Sequence, residues 1–303
     1  MTTMIPFDQG EIGLNWLALS DALAAGHDLP KAKVEDVFLY EGVNTLLNRS
    51  AWIEGMGLAV KCATIFPNNK DKQVPMVQGA VNLFSAEDGR LEAIVDFHLV
   101  TKWKTAGDSL LAARRLARPD SENILIVGAG TVGQTLLQAY SAAFPAAQFT
   151  VWNRSSAGAQ AFASKNEGVK VANDLERAVK AADIVTSATM TTDPILKGEW
   201  FQPGQHIDLI GAYRPDMRET DDVGLNRSRV FVDSFETTMN HIGELKIPLT
   251  EGAISQNDVL ADFYNLEVFE RQGDDEITLF KNGGGAHLDL MTSRYILDVW
   301  KEK

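Results

Sequence analysis

The chain has 303 residues, of which 45% are hydrophobic and 23% are charged, a composition typical of a globular protein with a substantial core. Its net charge of −13 argues against nucleic acid or an anionic membrane as a partner, because such a surface repels phosphate. One cysteine, Cys62, excludes a disulfide framework and a cysteine-based zinc site. No secretory signal pattern and no run of ~18 apolar residues occurs, so we expect a cytoplasmic protein.

The first third of the chain alternates short apolar segments with turn signals. The predicted elements are a helix over 12–25 and strands over 37–40, 57–64, 80–84 and 91–97. Glu87, Asp88 and Gly89 form a hairpin turn signal between the last two strands. Because these strands do not alternate with helices, they predict a separate, largely antiparallel substrate domain.

A second helix is predicted over 101–117, with Thr101 as its N-cap. Lys102 and Lys104 would then lie in its first turn, where cations oppose the helix dipole. Two interpretations remain open at this point. Either both side chains reach solvent, or an anion binds at this end of the helix and reverses the sign of the interaction.

The segment 123–154 organises the second part of the chain. An apolar run over 124–127 meets Gly128, Gly130 and Gly133 and is followed by helical spacing of apolar residues. In this strand, turn and helix, the first glycine allows the turn and the second lets the backbone approach a pyrophosphate. The third lets helix and strand pack closely. The pattern predicts a dinucleotide site of the Rossmann type.

The strand 149–152 ends at Asn153, Arg154 and Ser155, where an NAD-selective site usually has a carboxylate for the ribose hydroxyls. Here a guanidinium stands instead, so we expect NADP(H) to be preferred and NAD(H) to be possible. The alternative is that Arg154 is simply a solvated loop cation. The candidate cofactor-binding residues are Gly128, Ala129, Gly130, Thr131, Val132, Gly133, Asn153, Arg154, Ser155, Ala188 and Thr189.

Beyond residue 123 the predicted strands alternate with helices. The strands cover 124–127, 149–152, 184–187, 206–210, 230–233 and 277–280. They predict a doubly wound parallel sheet in a Rossmann domain over 119–281. A last helix over 286–300 returns to the first domain, so 1–118 and 282–303 together form the second α/β domain. The scattered histidines lack any metal-ligand spacing, and we expect no metal site.

Several motifs taken together resemble those of the ornithine cyclodeaminase/mu-crystallin family. They lie at 57–61, 66–68, 99–105, 128–133, 211–219, 243–245 and 280–281. The resemblance implies a Rossmann domain inserted into a second α/β domain. This second domain binds the substrate and usually forms a homodimer through its sheets.

The resemblance also implies roles for individual residues. Lys61 and a basic residue at position 104, where arginine is usual and this chain has Lys104, would hold an amino-acid carboxylate. Arg49 is a possible third cation. Lys61 has the alternative of a strand lysine whose head reaches water. Tyr213 stands where cyclodeaminases carry the aspartate that engages the substrate amine, and its alternative role is packing alone.

We therefore expect an oxidoreductase acting on C=N bonds. Its substrate would be a small cyclic imino acid, Δ1-pyrroline-2-carboxylate or Δ1-piperideine-2-carboxylate, reduced by NAD(P)H to the cyclic amino acid. Ornithine cyclodeaminase or alanine dehydrogenase activity is one alternative. A mu-crystallin-like protein that holds NADPH and a ligand without turnover is another.

Overall fold

The computed structural model describes residues 2–303, which form two compact units: 2–104 with 284–303, and 105–283. The strands are β1 (Thr3–Ile5), β2 (Lys33–Glu41), β3 (Asn44–Ile53), β4 (Gly57–Ile65), β5 (Val77–Phe84), β6 (Leu91–Asp96), β7 (Asn123–Val127), β8 (Gln148–Trp152), β9 (Lys170–Val171), β10 (Ile184–Ser187), β11 (His206–Leu209), β12 (Arg229–Val232), β13 (Val259–Ala261) and β14 (Thr278–Lys281). The α-helices are α1 (Phe7–Glu11), α2 (Trp16–His27), α3 (Phe97–Leu116), α4 (Thr131–Ala143), α5 (Ser156–Lys165), α6 (Leu175–Ala181), α7 (Asp222–Asn226), α8 (Phe235–Thr238), α9 (Gly243–Glu251) and α10 (Ala286–Lys301). Short 3₁₀ helices cover Pro67–Lys72, Gly198–Trp200, Gln256–Asp258 and Phe263–Val268.

The first unit is built on a sheet with the strand order β1-β6-β5-β4-β3-β2. All its pairs are antiparallel except β1 with β6, which confirms the largely antiparallel arrangement predicted for this part of the chain. Helix α10 packs across β2 to β5 and against α2. The register aligns Asp36 of β2 with Arg49 of β3, and Arg49 with Lys61 of β4. These three side chains therefore share one face of the sheet.

Helix α3 differs from its prediction at its start. It begins at Phe97 rather than after Thr101, and the carboxylate of Asp96 accepts a hydrogen bond from Leu99 N at 2.9 Å. The predicted N-cap at Thr101 is wrong because Asp96, at the end of β6, satisfies the helix N-terminus instead. Lys102 and Lys104 consequently lie in the second turn, where the helix dipole acts on them only weakly.

The second unit contains a wholly parallel sheet with the strand order β13-β12-β14-β11-β10-β7-β8-β9. This confirms the doubly wound parallel sheet, and the prediction missed only β9 and β13, which are too short to show periodicity. The chain order reverses between β7 and β10, and the crevice outside the carboxyl ends of strands at such a point is where ligands bind in open α/β sheets. Buried apolar side chains from β7, β10, β11, β12 and β14 form the core beneath it.

Candidate active site

Three cations of the first unit, Lys61, Lys104 and Arg49, lie close together. The ammonium group of Lys61 donates hydrogen bonds to Thr101 Oγ1 and to Asp289 Oδ1, both at 2.9 Å, and lies 4.6 Å from the centroid of the Phe97 ring. Lys61 is 6% exposed and Asp289 is 1% exposed, so the pair is buried. The second carboxylate oxygen of Asp289 has no hydrogen-bond partner among residues 2–303.

Lys104 and Arg49 converge on one carbonyl group. Lys104 Nζ and Arg49 Nη1 each donate to the oxygen of Gly284, both at 2.9 Å, in the glycine-rich segment before α10. The rest of the Arg49 guanidinium binds Asp36, with Nε and Nη2 2.9–3.1 Å from its carboxylate oxygens. Lys104 is 6% exposed, yet within the described chain no carboxylate forms an ion pair with it. A buried ammonium group without a carboxylate is costly to a fold.

Burial has the largest single effect on the pKa values of Lys61 and Asp289. The pKa of Lys61 is lowered to about 8, chiefly by burial; Asp289 opposes the decrease, and the charges of Lys104 and Arg49 contribute to it. Burial alone would raise the pKa of Asp289, but the charges of Lys61, Lys104 and Arg49 outweigh it and hold the pKa below its ordinary value. Asp36 forms an ion pair with Arg49, and Asp289 forms one with Lys61.

The glycine turn after β7 belongs to the second unit. Gly128 has φ = +114°, and a Cβ on Gly133 would lie 2.1 Å from the Gly128 carbonyl oxygen, so both positions require glycine. A Cβ on Gly130 would meet no described atom within 4 Å. Gly130 is the N-cap of α4, whose first N–H groups have no partner within the helix. The turn thus presents open space and hydrogen-bond donors together.

Asn153, Arg154 and Ser155 lie beside this turn, at the end of β8. Asn153 Oδ1 accepts a hydrogen bond from Ala129 N at 3.2 Å, and Ser155 caps α5 by accepting from Gly158 N. The guanidinium of Arg154 is exposed and forms no hydrogen bond or ion pair with the residues that the structure describes. It is therefore available to an anionic group.

Ala188 and Thr189 follow β10, next to the glycine turn. Ala188 N donates to Val127 O at 2.9 Å, and a Cβ on Gly128 would lie 2.8 Å from the Ala188 carbonyl oxygen. The predicted cofactor-binding residues at the ends of β7, β8 and β10 are therefore neighbours along one edge of the parallel sheet.

Tyr213 is 60% exposed on the segment that follows β11, and its ring lies 6.0 Å from the Arg214 guanidinium. Arg214 in turn binds Asp216 through two hydrogen bonds of 2.8 Å. Asp216, the nearest carboxylate along this segment, is thus already paired with an arginine.

Two features are absent from the residues that the structure describes. No group of three or more His, Cys, Asp or Glu side chains in residues 2–303 is arranged to hold a metal ion. Within the same residues, no helix has both the length and the apolar character needed to cross a membrane.

The sequence of the chain is similar to those of known proteins. A sequence model of the ornithine cyclodeaminase/mu-crystallin family matches residues 50–303. The chain belongs to this family. A relative within the ornithine cyclodeaminase/mu-crystallin family is the Δ1-pyrroline-2-carboxylate reductase of Paracoccus denitrificans, 50% identical over 294 residues that cover 94% of this chain and 93% of the relative.

Two solved structures of this fold resemble the whole chain. The Δ1-pyrroline-2-carboxylate reductase of Thermococcus litoralis in complex with NADH and L-proline has a TM-score of 0.90 at 26% identity and covers 99% of this chain and 98% of its own. An archaeal alanine dehydrogenase dimer with bound NAD has a TM-score of 0.89 at 26% identity, covering 99% and 96% respectively. The α/β fold predicted from the sequence is confirmed.

Three contacts of Lys61 were not predicted from the sequence. Asp289, in the first turn of α10, forms an ion pair with it. Thr101 and Phe97 contact the same ammonium group. A buried lysine flanked by apolar residues requires an ionic partner. The acidic residue on the apolar face of the last helix was the sequence feature that could have indicated it.

Proposed function

We propose that the chain is an NAD(P)H-dependent reductase that converts a small cyclic imino acid to the cyclic amino acid. The candidate substrates are Δ1-pyrroline-2-carboxylate and Δ1-piperideine-2-carboxylate. The observation that carries the proposal is the buried, carboxylate-free ammonium of Lys104 next to the Lys61–Asp289 pair. The 50% identity to a Δ1-pyrroline-2-carboxylate reductase supports the same substrate class.

In this proposal the substrate carboxylate binds the cations of the first unit. Lys104 supplies the unmatched positive charge, and Arg49, held in position by Asp36, supplies a guanidinium N–H group. Both groups donate to the Gly284 carbonyl, an arrangement in which a carboxylate oxygen can replace or join a carbonyl oxygen as acceptor.

We assign Lys61 to proton donation to the imine nitrogen, in place of the carboxylate contact that the family resemblance implies for it. Its pKa of about 8 makes it a better acid near neutral pH than an ordinary lysine, because burial disfavours its charged form. Asp289 and Thr101 hold the ammonium group in one orientation through two 2.9 Å hydrogen bonds. In the reaction the C=N bond gains a proton at nitrogen from Lys61 and a hydride at carbon, and neutral Lys61 is then reprotonated from solvent.

The cofactor proposed for the second unit is a nicotinamide dinucleotide, which supplies the hydride. The open space at Gly130 and the free N–H groups of α4 fit a pyrophosphate. We propose a preference for NADP(H), with NAD(H) possible, because unpaired Arg154 lies where a 2′-phosphate binds and no carboxylate stands there. The two similar structures hold NADH and NAD, so the preference rests on Arg154 alone.

Tyr213 argues against ornithine cyclodeamination. That reaction requires a carboxylate to handle the protons of the substrate amine. Tyr213 places a phenol, rather than a carboxylate, at this position. Asp216 is paired with Arg214 and does not substitute for it.

Steady-state assays test the proposed reaction. NADPH oxidation is measured with Δ1-pyrroline-2-carboxylate, with Δ1-piperideine-2-carboxylate, and with pyruvate plus ammonia, and ammonia release is measured with ornithine and NAD⁺. We expect kcat/KM to be highest with a cyclic imine. Faster turnover of pyruvate or comparable ammonia release from ornithine would replace the proposal, and no turnover with tight NADPH binding would favour a binding protein.

We also propose a homodimer formed through the sheet of the first unit. Val37, Leu39 and Trp52 lie on one face of β2 and β3 and are 45–58% exposed, and large exposed apolar side chains of this kind are typical of protein interfaces. One similar structure is a dimer. Light scattering should give twice the chain mass, and Trp52→Glu should give a monomer; a wild-type monomer would contradict this.

Two further assignments remain proposals. We propose that the dinucleotide-binding domain extends over 119–281, because its first strand, β7, begins shortly after residue 119. We propose a cytoplasmic location, which the single, unbridged Cys62 supports. Detection of the protein in a secreted fraction would contradict the location.

A further inference from the structure

Glu219 is a buried carboxylate in the second unit that lies outside the glycine turn and the cation cluster. It is 0% exposed and accepts four hydrogen bonds. Oε1 accepts from Ser187 Oγ at 2.6 Å, from Thr189 N at 2.8 Å and from Thr189 Oγ1 at 2.7 Å. Oε2 accepts from Gly211 N at 2.6 Å. The Glu219 side chain therefore bonds to both the segment that follows β10 and the segment that follows β11.

These two segments touch each other directly. A Cβ on Gly211 would lie 2.0 Å from the Thr189 carbonyl oxygen, so only glycine permits this approach. Both segments emerge at the carboxyl edge of the parallel sheet, next to the point between β7 and β10 where the strand order reverses. A dinucleotide bound there extends from the glycine turn across this edge.

The surroundings of Glu219 keep it in place. Its own backbone N–H donates to Glu244 Oε2 at 2.7 Å, and the buried ammonium of Lys281 is close enough to stabilise its charge. Burial raises the pKa of Glu219, and the charge of Lys281 and the donated hydrogen bonds oppose that rise. All four partners are donors, so the carboxylate is the form that satisfies them.

We propose that Glu219 is a positioning residue that fixes the nicotinamide half of the cofactor site through Thr189 and Gly211. The inference rests on the proposed function, because it takes the turn at Gly128 as the site of the pyrophosphate. The adenosine half, beside Arg154, is independent of Glu219. Glutamine at position 219 replaces one accepting oxygen with an NH₂ group that faces hydrogen-bond donors. The segments after β10 and β11 then lose the side chain that joins them.

The test separates the two halves of the cofactor. Dissociation constants for NADPH and for adenosine 2′,5′-bisphosphate, which represents the adenosine half alone, are measured by calorimetry for the wild type and for Glu219→Gln. We expect NADPH binding to weaken about 10-fold and the bisphosphate to change less than about twofold. Asp208→Asn is the matched control, because it also removes a buried carboxylate of the second unit, but one that accepts from Ser109 Oγ, Tyr140 OH and Thr186 Oγ1 instead. It should lower the melting temperature without a selective loss of NADPH.

Ser187→Ala is the milder variant, should Glu219→Gln fail to fold, because it removes only one of the four donors. It should give a smaller loss with the same selectivity for NADPH. Equal weakening of both ligands in these variants, or no weakening of either, would overturn the inference. Failure of the wild type to bind either NADPH or NADH would instead overturn the proposed function, so the two failures are distinguishable.

Discussion

Replacing Asp289 with asparagine removes the carboxylate 2.9 Å from Lys61 Nζ and leaves a side chain of nearly the same shape. In the wild type Lys61 is protonated below a pKa of about 8, so kcat/KM for the cyclic imine should fall as the pH rises through that value. Asp289 raises this pKa, and its loss should lower it further. An opposite charge at this distance typically moves a midpoint by about 1–3 pH units.

The expected loss of activity follows from these midpoints. At pH 7.5 a group with a pKa of about 8 is roughly three-quarters protonated, whereas one with a midpoint near ~6 is only ~3% protonated. Asp289→Asn should therefore lose about 25-fold in kcat/KM at pH 7.5 and recover much of it at lower pH. The substrate's own ionisation is the same for both enzymes, so the difference between their pH profiles reports the enzyme group.

The assay is kcat/KM for Δ1-pyrroline-2-carboxylate from pH 5.5 to 9.5 at saturating NADPH. Asp298→Asn, on the same helix but not paired with Lys61, is the control and should keep the wild-type midpoint. Breaking a buried ion pair costs about 3–5 kcal/mol of stability, so the melting temperature is measured alongside. A pH-independent loss in Asp289→Asn, with the midpoint still near 8, would refute the role assigned to Lys61.

Four other substitutions test separate parts of the site. Arg154→Ala should raise KM for NADPH about 10- to 100-fold and leave KM for NADH nearly unchanged; an equal effect on both would remove the NADP(H) preference. Gly130→Ala should weaken NADPH binding without lowering the melting temperature, whereas Gly133→Ala should destabilise the fold because its Cβ would lie 2.1 Å from Gly128 O. Equal melting temperatures for the two variants would contradict this division. Lys104→Met should lower kcat/KM about 10- to 100-fold, leave NADPH binding intact and not lower the melting temperature, since it removes an ammonium buried without a carboxylate. A destabilised variant with normal turnover would show that Lys104 is structural.

The dinucleotide turn was predictable because its information is local. Gly128, Gly130 and Gly133 lie within one strand, turn and helix, and the spacing of glycines and apolar residues specifies that geometry. The parallel sheet was predictable for the same reason, since each of its longer strands is a continuous apolar run between helices.

The cation cluster was only partly predictable because its contacts are distant in sequence. Lys61 and Asp289 are 228 positions apart, and no periodicity joins them. Arg49 lies beside Lys61 only because of the register between β3 and β4, and β3 was not predicted, since its polar residues interrupt the apolar pattern. The start of α3 was misplaced because both Asp96 and Thr101 are acceptable N-caps, and it is Asp96 that accepts the hydrogen bond from Leu99 N in the folded chain.

The transfer of hydride from the cofactor to the imine carbon is measured most directly with deuterium. Δ1-pyrroline-2-carboxylate is reduced with NADPH deuterated at C4 on one face or the other, and the proline product is analysed by mass spectrometry. The proposed function predicts one deuterium at the α-carbon from one of the two labelled cofactors and none from the other. Proline without deuterium from either cofactor, or no proline at all, would contradict it.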